Sequence, residues 1–200
     1  MKGSLVVVGF FIAGTICGVC HLMPFDITQT NISYYALCAL MFCVGLSIGN
    51  DPQTLKNFRS LNPRLVFLPV MTILGTLAGT AATSLILTHR ELTDCLAIGS
   101  GFGYYSLSSI FITEYKGAEL GIIALLANIS REILTLLAAP LLVRWFGNLA
   151  PISAGGATTM DTTLPIITRT AGNEFVIVSI FHGFVVDFSV PFLVTLFCSI

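Results

Sequence analysis

Asp161 stands in the run GATTMDTTLPIITRTAG at residues 156–172, flanked by Thr158, Thr159, Thr162 and Thr163, with Gly155 and Gly156 before it and Pro165 after it. A carboxylate among hydroxyls, on backbone loosened by glycine and broken by proline, can bind a cation or cycle a proton once it leaves water, because desolvation favours its neutral form. In a soluble protein this run would be a solvated turn. Its flanks here are long and apolar, so it is expected to be a membrane-embedded ligand. Asn128, Arg131 and Glu132 are spaced i, i+3 and i+4 and share one helix face. Two readings of that face stand: Glu132 or Asn128 as a cavity-lining ligand, or Arg131 paired with a carboxylate to fix helix packing. His182 and Asp187 are five residues apart, about 140° round a helix, and so form no same-face dyad. His182 reads first as a hydrogen-bonded packing residue and second as a proton relay. Asp187 reads as a cavity acid or as a partner of Arg131.

Cys17, Gly18, Val19, Cys20 and His21 spell CxxCH, the haem c attachment signature. In a chain with six cysteines, one five-residue match reads as small apolar thiols at a helix end. Cys38, Cys43, Cys95 and Cys198 follow neither metal-ligand nor disulfide spacing. No cofactor or metal is expected.

These residues must be held by apolar helices. Of 200 residues, 55% are apolar and 10% charged, and the mean hydropathy is +0.92, which is the composition of an all-α integral membrane protein. A bilayer core of about 30 Å needs about 20 helical residues, and windows near Ser4–Leu22, Ile32–Gly49, Leu65–Leu87, Leu120–Phe146 and Phe175–Ser199 meet that length. Lys2 ahead of the first window gives it the look of a signal peptide, but no small-residue cleavage site leads into a soluble domain, so it is read as a retained span. The net charge of −1 says nothing about nucleic acid, but there is no basic stripe to track a phosphate backbone, so no nucleic-acid partner is expected. The lack of a GxxxxGK loop argues against ATP-driven pumping, and no hydrolytic constellation marks an enzyme.

Between the apolar windows lie two interrupted segments that match at an offset of 55 residues, beginning at Gly99 and Ala154. Gly101 pairs with Gly156, Thr113 with Thr168, Gly117 with Gly172 and Glu119 with Glu174, and the same register sets Ser106 opposite Asp161 and Glu132 opposite Asp187. Repeated, broken apolar segments point to a carrier, since unwound backbone at membrane depth survives only beside a cavity or solute. The first segment carries Gly101, Gly103, Tyr104, Tyr105 and Ser106 and no acid. Amides at its half-helix N-terminus would attract an anionic group, so the two segments together suit a zwitterionic or cationic solute. The rival reading is that the glycines only permit close helix packing.

Lys2, Lys56, Arg59 and Arg64 flank the first three windows on one side, against Arg90 on the other, which puts the N-terminus in the cytoplasm. If both broken segments re-enter, Arg144 and Arg169 join the inside and Lys116 the outside; if both cross, Lys116 and Arg169 are inside and Arg144 outside. Both arrangements give six basic residues inside and two outside. Re-entrant segments make the two repeats inverted, the arrangement that builds a midplane site, so five spans plus two re-entrant segments are expected. Residues 1–92 then form a scaffold and 93–200 the transport core.

The runs SGFGYYSLSS at 100–109, NISRE at 128–132, GATTMDTTLPIITRTAG, and HGFVV with Pro191 resemble the C-terminal part of the bacterial lysine exporter LysO family, from VGLSIGNDPQTLKNF at 44–58 onward. The resemblance implies proton-coupled export of L-lysine and toxic lysine analogues across the inner membrane, with Asp161 at the family's functional intramembrane acid. It also implies kinship with inverted-repeat carrier folds. Single-chain members carry additional N-terminal helices with another pathway acid, so a small membrane subunit supplying that repeat is expected as a partner, with homodimerisation as the fallback. Asp187 falls at a position that is not acidic in the family pattern, and nothing functional carries over to it. The alternatives are an ion-coupled carrier of another amino acid or a carboxylate, and a non-transporting membrane subunit.

Overall fold

The computed structural model describes residues 63–87 and 90–200, together with Ile16, Cys17, Tyr35, Ala39 and Phe42. The chain divides into two units, Met1–Leu55 and Lys56–Ile200. Apart from those five residues, the expected spans Ser4–Leu22 and Ile32–Gly49 and the CxxCH run lie outside the described residues; Cys17 itself is a free thiol in helical backbone.

Within the second unit the order is α1 (Pro63–Val66), α2 (Leu68–Ile86), α3 (Leu92–Gly99), α4 (Tyr105–Lys116), α5 (Ala118–Phe146), α6 (Ala150–Gly155), a 3-10 turn (Gly156–Met160), α7 (Leu164–Ala171), a second 3-10 turn (Asn173–Phe175) and α8 (Val176–Ser199). No strand occurs among the described residues. Among the described residues three helices are long and apolar enough to cross a bilayer, over Leu68–Ile86, Ala118–Phe146 and Asn173–Ser199, matching three of the five expected windows. Leu74, Leu126, Leu137 and Phe192 on these helices stay exposed, as a hydrocarbon solvent requires. The chain is an all-α membrane protein.

The two glycine-rich segments are both interrupted helices. Helices α4 and α7 end at the matched residues Gly117 and Gly172, whose N–H groups bond back to Thr113 O at 3.0 Å and Thr168 O at 3.2 Å. The first segment doubles back: Lys116 Nζ at the end of α4 lies 3.5 Å from Asp94 Oδ1 near the start of α3, and Arg90 pairs with Glu119 at the start of α5. Both arms therefore begin and end at one end of α5, and residues 100–104 form the tip.

The second segment does the same at the other end. Ile152 of α6 packs with Ile167 and Ala171 of α7 and Val178 of α8, and Val143, Leu149, Phe175, Leu65 and Leu68 close round them. That cluster marks the second base beside the C-terminal part of α5. From it α8 runs past the second tip and packs on both α3 and α4. Helix α5 thus joins the base of one hairpin to the base of the other, and the two tips approach each other along its middle.

Candidate functional site

The tips meet through backbone. Ala157 N–H donates to Phe102 O at 2.9 Å, and a Cβ on Gly156, at φ 64°, would run into that same carbonyl. Only glycine tolerates both demands. Residue 156 is therefore a packing glycine as well as a hinge in the chain.

Two residues of α5 staple the tips. Asn128 Oδ1 accepts from Gly103 N–H at 2.8 Å, while its Nδ2 donates to Ile98 O at 3.1 Å and Ala124 O at 2.9 Å. Gly101 lies against this amide, since a Cβ there would sit 2.5 Å from Asn128 Nδ2. Arg131 holds the other tip: Nε donates to Ala154 O at 2.8 Å, a terminal nitrogen to Ser153 O at 3.0 Å and the other to Thr76 Oγ1 at 3.3 Å. Its guanidinium also lies 5.8 Å from the Phe102 ring centre. The carboxylate expected opposite Arg131 is not among these partners. The end carbonyls of α6 carry the partial negative charge of a helix C-terminus and take that place.

His182 is fully buried on α8, with Nδ1 3.3 Å from Thr159 Oγ1 and Nε2 2.9 Å from Thr72 Oγ1. Thr159 Oγ1 in turn lies within 2.9 Å of Ser179 O, and Thr72 donates to Ser153 Oγ at 3.1 Å. These bonds tie α8, the second tip and α2 together, which is the packing reading of His182.

Beside the joined tips lies a small open cavity of about 90 Å³, lined by Tyr104 from the first tip, Ala157, Thr158, Met160 and Asp161 from the second, and Asp187 from α8. Asp161 is exposed at its rim, and its Oδ1 accepts from Thr162 N–H at 2.5 Å and from Thr162 Oγ1 at 3.3 Å. Asp187 is the buried acid, with 6% of its surface exposed. Ser106 is exposed on the first turn of α4, and Tyr105 and Glu132 are half-buried; none of the three lines the cavity. The amides of Gly103, Tyr104 and Tyr105 are already bonded within the fold. Asp161, Thr162, Thr159, His182, Arg131, Asn128, Gly101 and Gly103 are thus gathered round the tips. Sequence reasoning left Asp187 open between a cavity acid and a partner of Arg131 and gave Tyr104 no role of its own; both line the cavity.

The family model for the lysine exporter LysO matches residues 8–198. The chain belongs to the LysO family. It is 36% identical over 196 residues, 98% of its length, to the lysine exporter LysO of Escherichia coli (strain K12), of which it spans 62%. It is also 36% identical over 165 residues to the "Putative lysine exporter" of Haemophilus influenzae, covering 82% of this chain and 83% of that one. No solved structure matches the chain. Within this LysO-family chain, the joined tips lie in the matched region together with the cavity acids.

Proposed function

We propose that the chain serves secondary active export of L-lysine and lysine analogues, with Asp161 as the carboxylate that meets the cationic solute. The carrying observation is the joining of two broken segments at a carboxylate-lined cavity in a member of the LysO family. Unwound backbone of this kind is the usual site for solute and coupling ion in inverted-repeat carriers. The ion pairs closing the first hairpin and the apolar cluster closing the second support re-entrant segments entering from opposite faces, hence inverted repeats within 93–200 on a scaffold of 1–92. Proton coupling, residence in the inner membrane with the N-terminus in the cytoplasm, and a companion membrane subunit belong to the same proposal. Arg144 and Arg169 at the second base and Lys116 at the first agree with that orientation.

The test is growth of cells that lack their own lysine exporter on a toxic lysine analogue. Cells carrying the unmodified chain together with its companion membrane subunit are expected to tolerate the analogue, and cells carrying Asp161→Asn with the same subunit to lose that tolerance while the variant still inserts in the membrane. Equal tolerance in both would remove Asp161 from the pathway.

A further inference from the structure

The cavity holds a second carboxylate with no assigned task. Asp187 is 94% enclosed, opens onto the same cavity as Asp161, and makes no hydrogen bond or ion pair among the described residues. A buried carboxylate without a donor is costly unless something else meets it. The groups that approach it account for little of that need. Tyr104 reaches the cavity from the first tip and Asp161 from the second. On the other elements packed against α8, Asp94 and Lys116 pair with each other at the first base, Arg131 is bonded to Ser153 and Ala154, and His182 is bonded to Thr159 and Thr72. Among the described residues no cation lines the cavity.

The geometry assigns Asp161 and Asp187 as the two carboxylates of one cation site, which takes either a solute ammonium group or a single proton. Asp187 is enclosed with neither a donor nor a counter-charge beside it, so the empty site holds its proton there, while Asp161 stays open to water at the rim. When an alkylammonium enters, the pair becomes doubly ionised against it and that proton leaves to water. Charge and atoms balance as one cation bound for one proton released. Tyr104 lines the same cavity from the first tip and Thr158 from the second. The cavity, at about 90 Å³, has room for an ammonium head or a small inorganic cation with a few waters. This inference deepens the proposed function and rests on the cavity being the transport site.

The experiment follows proton release when L-lysine, or separately Na⁺, is added to the purified full chain in weakly buffered detergent. Unmodified protein is expected to release about one proton per cation bound. Asp187→Asn is expected to release none and to bind its cation with an affinity that no longer changes with pH, and Asp187→Glu to restore release. Release from Asp187→Asn equal to that of the unmodified chain overturns the proposal, as does no release from the unmodified chain with either cation. Release with L-lysine assigns the ammonium as ligand. Release with Na⁺ alone keeps the two-carboxylate site, gives it an inorganic cation and counts against the lysine reading instead. Carbodiimide labelling of the unmodified chain makes the result independent of how the variants fold. Asp187 is expected to be modified, and protected by whichever cation releases the proton; equal labelling with and without that cation overturns the assignment.

Discussion

Single polar residues in this chain are informative because hydrocarbon makes each one expensive. Asn128, Arg131 and Asp161 stand out in sequence for that reason, and the structure gives each a defined partner set. The division of labour among them was less legible. A helical period places Asn128 and Arg131 on one face but does not say that the face lies between two backbone tips. Asp187 was ambiguous for a related reason: a helix wheel does not reveal which hairpin a face will meet. Asn128→Ala would strand the Gly103 N–H, so a loss of about 1–3 kcal/mol is expected, read as a lower melting temperature in detergent. Arg131→Lys keeps the charge but loses the fork that reaches both Ser153 and Ala154 carbonyls. That variant is expected to melt lower than the unmodified chain and higher than Arg131→Leu, by the same measurement.

Among the elements, the breaks were visible early, since glycines and hydroxyls recur at one offset where smooth helix would otherwise continue. Their path was not visible, because re-entry and full crossing give the same balance of basic residues on the two sides. The contact between Asp94 and Lys116 supports the re-entrant reading, bringing both arms of the first segment to one end of α5. Such a contact joins residues far apart in sequence, which no local pattern encodes. The meeting of the tips depends on residue 156 lacking a side chain. Gly156→Ala adds roughly 1–2 kcal/mol of left-handed strain and a clash with the Phe102 carbonyl. It is expected to part the tips and cut lysine efflux more strongly than it lowers membrane abundance, as efflux and immunoblot of the same cells would reveal.

For the whole molecule, two hairpins that enter from opposite ends of α5 have a consequence for sidedness. In the proposed re-entrant arrangement the base carrying Arg144 and Arg169 and the base carrying Lys116 lie on opposite faces of the membrane. In a background without reactive thiols, Arg169→Cys is expected to react with an impermeant maleimide only in inside-out vesicles, and Lys116→Cys only in right-side-out cells. Labelling of both from the same side would contradict the hairpin arrangement. Composition alone was enough to identify a membrane protein, because lipid leaves few alternatives to apolar helices. The central claim is narrower: the carboxylate of Asp161, at the junction of the tips, meets the exported cation. The direct measurement is efflux of labelled L-lysine from preloaded exporter-deficient cells carrying the companion subunit with either the unmodified chain or Asp161→Asn at matched membrane levels. Rapid efflux from the first and background efflux from the second is the expected result; equal efflux from both would contradict it.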